Sequence, residues 1–385
     1  MSELAEKLIL ENLQTKNPFL DLGRCCLDGS EEELYQPLKD AVHLETLIFA
    51  DDWQTYDPIY QIYVRRESQN PDRHRKDKRN NLYQIPNSLP SNIKHLILAG
   101  HWDSRWQLFN LDFLAELKEL QSLDLSYNYI PKYQQDAYFA KLGQLKKLGL
   151  RNTRLEDYSF LENLTELQEL DLSDNKPEGF SGLDMTSHYQ DRDFSFIKNL
   201  NSLQVLNLNS YQSDTVTHIY SPLYRYAVKT PLKSLDLSNN QIQEIPSSTF
   251  KNLDQLQSLQ LRNNYLKDIS FLSTSANLQK LDVSWNKVED VTVLQHLPNL
   301  QTLDISDNKI QDFAIVSHLK KLKNLKLNLS QLKDISFLAE LIQLEELDLS
   351  YNQLKDISLL AGLTQLQYLN LEANPIQDIS AIRQL

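Results

Sequence analysis

The last third of the chain repeats one eleven-residue pattern at a constant interval of 22 residues. The copies start at residues 278, 300, 322, 344 and 366, and they read LQKLDVSWNKV, LQTLDISDNKI, LKNLKLNLSQL, LEELDLSYNQL and LQYLNLEANPI. Such a period indicates one structural unit stacked many times, because a unit this short cannot bury its apolar side chains alone. The sequence therefore predicts a repeat fold before any other property is considered.

The same pattern continues upstream almost to the N-terminus. Further copies start at 256, 232, 203, 167, 145, 120 and 93, with looser ones at 44 and 17, which makes about fourteen units. Leu accounts for 72 of the 385 residues and fills much of positions one, four, six and eleven, counted from the first Leu of each unit. Positions three to seven predict a short strand, in which Leu303 and Ile305 point inward while Asp304 and Ser306 lie on an open face.

The string L-x-x-L-x-L-x-x-N-x-L is the signature of leucine-rich repeats, and the chain resembles proteins of that family. Residues 256–385 resemble the 22-residue subclass found in bacterial internalins and in a eukaryotic protein phosphatase regulatory subunit. The resemblance implies an α/β fold, a single horseshoe-shaped solenoid over residues 1–385. It further implies a parallel sheet on the concave side, and short helices and 3₁₀ turns on the convex side. Residues 1–16 are expected to form an N-terminal capping helix.

Two polar columns accompany the Leu columns. Position nine holds Asn in eight units: Asn128, Asn175, Asn240, Asn264, Asn286, Asn308, Asn352 and Asn374. An Asn side chain has both donors and an acceptor for turning backbone groups that would otherwise be buried unpaired. Position thirteen holds Asp in seven units: Asp157, Asp268, Asp290, Asp312, Asp334, Asp356 and Asp378. We expect these carboxylates to cap the turn that opens each convex segment, the alternative being an acidic stripe for a cationic partner.

The repeats in residues 17–255 are irregular, because extra residues interrupt them near 55–90, 176–192 and 211–230. All three insertions follow the strand of their unit, and insertions in repeat proteins often form the binding face. The first contains a basic stretch, RRESQNPDRHRKDKR at 65–79. Four interpretations stay open for it: contact with nucleic acid, with an acidic partner, with the acidic face of this chain, or with solvent only.

Aromatic and acidic side chains outside the Leu positions are the candidates for partner binding. Trp53, Trp102 and Tyr129 are assigned to position ten of three successive units, where exposed rings are typical anchors of protein interfaces. The alternative is that the insertion at 55–90 folds back and covers them. The full set of candidates is Trp53, Trp102, Trp106, Tyr127, Tyr129, Trp285, Tyr351, Asp282, Asp304 and Asp348.

Catalytic motifs are missing from the sequence. The chain has no G-x-x-x-x-G-K-[ST], G-x-G-x-x-G, H-E-x-x-H or paired C-x-x-C, and its 8 Gly offer little material for a phosphate-binding loop. No cofactor, no metal site and no enzymatic activity are therefore expected. The formal charge of −13 argues against nucleic-acid binding, and no run approaches 18 apolar residues, so no membrane span is expected.

The sequence favours a non-enzymatic scaffold that binds a partner protein through the concave face and the edge that carries the insertions. The N-terminus lacks a basic segment before an apolar block, and the two Cys are adjacent, so a cytoplasmic location is expected. The last repeat stops at Leu385 without a polar cap. This motivates self-association or docking through that edge. It also motivates the alternative of a sensor portion of a larger signalling protein, such as a Roco-type GTPase or a protease-linked immune receptor.

Overall fold

The computed structural model describes residues 2–58, 61–70, 79–85, 89–101, 108, 110–130, 138–155, 157–175, 195–210, 230–251 and 253–384. They belong to two compact units, Met1–Asn207 and Leu208–Leu385. Three-residue parallel strands recur once per repeat, seven in each unit among the described residues. The prediction of a leucine-rich repeat solenoid with a parallel sheet is confirmed.

The first unit contains nine of the described strands. In chain order they are Phe19–Asp21 (β1), Thr46–Ile48 (β2), Asp52–Asp57 (β3), Ile62–Glu67 (β4), His95–Ile97 (β5), Ser122–Asp124 (β6), Lys147–Gly149 (β7), Glu169–Asp171 (β8) and Val205–Asn207 (β9). Strands β3 and β4 pair antiparallel with each other, and the other seven pair in parallel.

The second unit contains the remaining strands, all of them parallel. They are Ser234–Asp236 (β10), Ser258–Gln260 (β11), Lys280–Asp282 (β12), Thr302–Asp304 (β13), Asn324–Lys326 (β14), Glu346–Asp348 (β15) and Tyr368–Asn370 (β16). The register joins equivalent residues, so that Leu303 pairs with Leu281 on one side and with Leu325 on the other. All three are at most 1% exposed, as the strand alternation predicts.

The Asn column satisfies the backbone turns, as predicted. The Asn264 Nδ2 atom donates to the carbonyl oxygens of Leu237, at 3.1 Å, and Leu261, at 2.9 Å. Its Oδ1 accepts from the backbone N–H groups of Asn240 and Ile242. One side chain therefore joins two neighbouring repeats, because it pairs with four backbone groups that would otherwise be buried without partners.

Short 3₁₀ helices follow the strands on the other side of each repeat. The described ones are Gln36–Leu38, Asp112–Glu116, Ser159–Asn163, Ser195–Asn199, Ser270–Thr274, Thr292–His296, Ala314–His318, Ser336–Leu338, Ser358–Gly362 and Ser380–Gln384. The Asp column caps them, since the Asp268 carboxylate accepts from the Ser270 N–H at 2.7 Å and that of Asp290 from the Thr292 N–H at 2.8 Å. The capping interpretation of position thirteen is confirmed.

Two α-helices of the first unit have both ends among the described residues, Glu3–Thr15 (α1) and Glu32–Tyr35 (α2). The Ser2 hydroxyl accepts from the Ala5 N–H and begins α1, whereas Lys16 ends it with a left-handed φ of 56°. The buried Asn12 side chain of α1 donates to the carbonyl oxygens of Asn17 and Phe19. These two bonds hold the helix against the start of β1.

Candidate binding surfaces

The insertion after β2 interrupts its repeat just before position nine, and Asn80 supplies that position. The Asn80 Nδ2 atom donates to the carbonyl oxygens of Leu22, at 2.8 Å, and Phe49, at 2.7 Å. Its Oδ1 accepts from the N–H groups of Cys25, at 3.1 Å, and Leu27, at 2.8 Å. These four bonds reproduce those of Asn264, so the repeat that is interrupted after Asp51 resumes at Asn80.

The assignment of Trp53 to position ten is therefore wrong. Position nine of that unit is Asn80, and the residue after it, Asn81, donates its N–H to the Leu27 carbonyl as position ten requires. Trp53 instead lies in β3, directly opposite Arg66 of β4. The L-x-x-L-x-L pattern alone predicts position ten for Trp53, because the sequence does not show where the insertion begins.

The β3–β4 hairpin lies on the face of the first unit's sheet that carries positions three and five, which we call the position-five face. Its Trp53 ring packs against Ile48, Ala50 and Ala99. At the base of the hairpin, the Ser68 hydroxyl donates to the Asp21 carboxylate. Gly23 allows this approach, because a Cβ there would stand 2.7 Å from the Ser68 Cβ atom. Residues 52–57 and 62–67 of the insertion thus fold back onto the chain, whereas residues 71–78 of its basic stretch lie outside the described residues.

A cavity of about 280 Å³ remains between the hairpin and strands β2, β5, β6, β7 and β8. Its walls from the hairpin include Trp53, Tyr56 and Tyr63, and the centres of the two Tyr rings are 5.5 Å apart. Its walls from the sheet include the position-five residues Asp124 and Asp171. The hydroxyl group of Tyr63 is buried and has no hydrogen-bond partner within the described ranges.

Burial dominates the electrostatics of this cavity. It raises the pKa of Asp171 to about 7, against the hydrogen bonds from Ser173, and it also raises the pKa of Asp124. Each carboxylate accepts one backbone N–H from the residue two positions later, Ser126 for Asp124 and Ser173 for Asp171. A backbone N–H two residues later thus holds each carboxylate in place, while burial disfavours its charged form.

We expect Asp171→Asn to raise stability above neutral pH and to flatten its pH dependence. The folded-state pKa lies above the unfolded value of 3.8. The native state therefore binds a proton between about pH 4 and pH 7 that the unfolded state has lost, and stability falls as pH rises through that window. Asn keeps the Oδ1 acceptor for Ser173 but carries no charge, so the gain at pH 8 is about 1–2 kcal/mol. Urea unfolding at pH 8 and pH 5 measures it, with the exposed Asp112→Asn as control. Parallel pH profiles for both variants and the wild type would contradict the assignment.

The second unit presents large side chains in a strained backbone position. Position eight has a left-handed φ throughout the regular repeats, a conformation that Asn and Asp tolerate well and bulky side chains adopt at a cost. Asn263 and Asp307 fit this preference. Trp285 and Tyr351 do not, yet they have φ values of 58° and 55° and are 44% and 50% exposed.

Neighbouring charges fix both rings. The Arg262 guanidinium carbon lies 5.2 Å from the centre of the Trp285 ring, within the range of a cation–π contact. The Tyr351 hydroxyl donates to the Glu372 carboxylate at 3.1 Å. The rings are therefore held in place while their outer surfaces remain accessible.

The three predicted acids of the second unit differ in accessibility. Asp282 and Asp348 are partly exposed at position five, whereas Asp304 is only 8% exposed. Each accepts the backbone N–H two residues later, so one oxygen of every carboxylate serves the local turn. Burial, with Asp304 as the next cause, raises the pKa of Asp282 to about 6.

The other predicted residues divide into two groups. Tyr127 is half-buried beneath the Arg151 guanidinium, 5.6 Å from its ring centre, and Tyr129 is 48% exposed. Trp102 and Trp106 lie outside the described residues, as do most of the insertions at 176–192 and 211–230. Within the described ranges no cluster of His, Cys, Asp and Glu is arranged to hold a metal ion. No described helix combines the length and apolarity needed to cross a membrane.

Sequence reasoning missed the hairpin residues Tyr56 and Tyr63 as functional candidates. A signal was present, because DWQTYD and IYVRRE are two strand-like runs separated by four residues, with Pro58 in the connection. Asp124 and Asp171 occupy position five, as do the candidates Asp282, Asp304 and Asp348. Their enclosure by the hairpin could not be found without the structure.

Models of known families match about half of the chain. One for leucine-rich repeats matches residues 230–288, and one for two copies of the repeat matches 144–184, 276–316, 298–340 and 342–384. The comparison with curated proteins gave no match. The assignment of residues 256–385 to the 22-residue subclass stays a prediction, which rests on their regular spacing.

Solved structures share the fold. An internalin, InlF from Listeria monocytogenes, is 26% identical over 77% of this chain and 85% of its own, with a TM-score of 0.57. TLR13, solved with the RNA ssRNA13, is 22% identical over 91% of this chain and 50% of its own, with a TM-score of 0.56. The ectodomain of the plant receptor kinase GASSHO1/SCHENGEN3 from Arabidopsis thaliana, solved with CASPARIAN STRIP INTEGRITY FACTOR 2, is 21% identical over 95% of this chain and 43% of its own, with a TM-score of 0.53. With its repeated strands, its Asn column and these matches, the chain belongs to the leucine-rich repeat proteins.

Proposed function

We propose that this chain is a non-enzymatic scaffold that binds a partner protein through the exposed rings and acids of its second unit. Leucine-rich repeat folds act in general as scaffolds for protein–protein interaction. The observation that carries the finer proposal is the exposed Trp285 ring in a left-handed backbone position. Strained, exposed aromatic residues concentrate at binding sites, because the interaction offsets their conformational cost.

Three features support this choice of surface. The side chains of Trp285 and Tyr351 are held by Arg262 and Glu372, which lowers the conformational entropy lost on binding. Leu329 occupies the same position eight between them and is 40% exposed. The partly exposed position-five acids Asp282 and Asp348 provide polar contacts beside an apolar centre, as typical interfaces do.

The test is a double substitution, Trp285→Asn together with Tyr351→Asn. Asn suits a left-handed φ, so we expect stability to stay constant or to rise by about 1 kcal/mol. Capture of the partner from an extract of the source cells should fall about 100-fold, since large aromatic anchors carry most of an interface's energy. The control is Ile342→Asn, which removes another large apolar side chain, 62% exposed, away from this surface. Unchanged capture by the double variant would refute the proposed surface, and equal loss by the control would refute its specificity.

The remaining predictions are carried forward as proposals. A protein is favoured over nucleic acid because the chain has a formal charge of −13, which repels phosphates. A cytoplasmic location is supported by the low Cys content, two adjacent residues among 385. Self-association through the last repeat is testable by sedimentation, and the alternative of a sensor portion of a larger signalling protein by finding coding sequence beyond Leu385.

A further inference from the structure

The cavity beneath the β3–β4 hairpin has two carboxylates on its floor and aromatic rings in its roof. Asp124, Gly149 and Asp171 occupy position five of three successive strands, β6, β7 and β8. Successive strands lie about 4.8 Å apart, so the two acids flank a glycine, and the Asp124 carboxylate extends over it. A Cβ at Gly149 would stand 2.6 Å from the Asp124 Oδ1 atom. The glycine is therefore required for this arrangement of the acids.

The cations near this floor are already engaged or neutral. The Lys147 ammonium group pairs with the Glu169 carboxylate at 2.8 Å. The Arg151 guanidinium pairs with Asp174, its Nε donating at 2.6 Å. Burial lowers the pKa of His95, which keeps the imidazole neutral at neutral pH. Among the described residues, no ion pair of 4 Å or less is made by Asp124 or Asp171, which leaves both carboxylates without a contacting positive charge.

The Tyr63 hydroxyl is a second and independent sign of a ligand. It is buried and lines the same cavity, and it has no hydrogen-bond partner in the described part of the chain. After burial as the main cause, the carboxylates of Glu169, Asp171 and Asp124 also raise the pKa of Tyr63, but the Tyr63 hydroxyl donates to none of them. A buried hydroxyl without a partner is costly, so a group that bonds to it would gain that energy on binding.

We propose that this cavity binds a cationic ammonium or guanidinium group. Such a group carries several N–H donors, enough for Asp124, Asp171 and the Tyr63 oxygen together. The rings of Tyr56 and Tyr63 line the same cavity, where an aromatic ring can attract a cation and burial strengthens each electrostatic contact. A volume of about 280 Å³ accommodates a lysine or arginine side chain.

One ligand chemistry here has two sources, a free small polyamine or the side chain of a bound protein. The proposal concerns only the first unit and is tested without Trp285 or Tyr351. Its failure is therefore distinguishable from failure of the interaction surface of the second unit. If the source is a protein side chain, the cavity would add an electrostatic anchor to the scaffold function.

The test is calorimetric titration of the full chain with n-butylammonium chloride and n-propylguanidinium chloride at constant ionic strength. We expect dissociation constants on the order of 1 mM for probes of this size. The uncharged n-butanol, which has the same chain length as n-butylammonium, should bind at least about tenfold more weakly. Equal binding of n-butanol, or absence of binding by both cations up to about 50 mM, would overturn the proposal.

Three variants locate the binding. Asp171→Asn should weaken the n-butylammonium affinity about tenfold, and Tyr63→Phe should weaken it about threefold. Tyr63→Phe removes an oxygen that has no hydrogen-bond partner among the described residues of the free protein. The control Asp112→Asn, an exposed acid of the first unit that does not line the cavity, should leave it unchanged. An equal loss in that control, or no loss in either cavity variant with circular dichroism unchanged, would overturn the site.

A second titration separates the two sources. Spermidine represents the free polyamine, and Nα-acetyl-lysine methylamide represents a lysine side chain on a partner. Tighter binding of spermidine by about tenfold or more assigns the site to a free polyamine. Equal or tighter binding of the blocked lysine, combined with loss of partner capture in Asp171→Asn, assigns it to a protein side chain. Failure of both to compete with n-butylammonium would overturn the proposal.

Discussion

Replacing Leu303 with Ala should lower the free energy of unfolding by about 2–5 kcal/mol. Leu303 lies at the centre of β13 and is fully buried between Leu281 and Leu325. Truncation removes apolar contacts with both neighbouring repeats and leaves a cavity, which the close-packed column cannot fill without moving its strands. Because repeats stabilise one another only through their neighbours, the damage should extend to both adjacent repeats.

Equilibrium urea unfolding followed by circular dichroism measures the loss. Thr302→Ala, one residue earlier in β13 and only partly buried, is the matched control and should cost less than about 1 kcal/mol. A melting temperature within a degree of the wild type in Leu303→Ala would contradict the assignment of position four to the core.

Asn80→Ala should be nearly as damaging, although Asn80 lies outside the unbroken repeat pattern. The substitution removes the partners of the Cys25 and Leu27 N–H groups and of the Leu22 and Phe49 carbonyls. Each unpaired buried group costs about 1–3 kcal/mol, and partial relaxation should bring the total loss to about 3 kcal/mol. The segment that returns from the hairpin should also become more accessible, because Asn80 fixes it to the first two repeats, whereas Ser68 and Asn70 hold the base of the hairpin.

Limited proteolysis and urea unfolding give separate readouts of these effects. Asn80→Ala should accelerate cleavage within residues 58–79, whereas the neighbouring Asn81→Ala, an exposed side chain, should change neither cleavage nor stability. A stable Asn80→Ala variant would mean that water or another side chain takes over the four bonds. Faster cleavage without loss of stability would show that Asn80 restrains the segment that returns from the hairpin but does not stabilise the repeats.

The regular repeats could be predicted from sequence in detail. In residues 256–384 the period of 22 residues fixed which Leu residues face the core, because the strand alternation is local and each strand pairs with an identical neighbour. The roles of Asn264 and Asp268 also followed from position alone, since their partners are backbone groups at a constant offset. Trp285 and Tyr351 could be named as candidates because they occupy position eight, where a turn residue is expected.

The cavity could not be predicted in the same way. The acids Asp124 and Asp171 belong to an ordinary column of the repeat, and nothing local distinguishes them from Asp348. What distinguishes them is the β3–β4 hairpin above them and the glycine between them, Gly149, which leaves room for the Asp124 carboxylate. The place of the hairpin depends on where an insertion folds, which the repeat period does not encode.

The sequence by itself thus determined the family, the number of repeats, the core and the capping of the turns. These follow from periodic patterns whose interactions are local or run between identical neighbours. Only the tertiary structure decided that Asn80 completes the second repeat and that the hairpin covers the position-five face of the first unit. The physical reason is that the bonds involved join residues far apart in the chain, as between Asn80 and Leu22, and a contact of that kind leaves no period in the sequence.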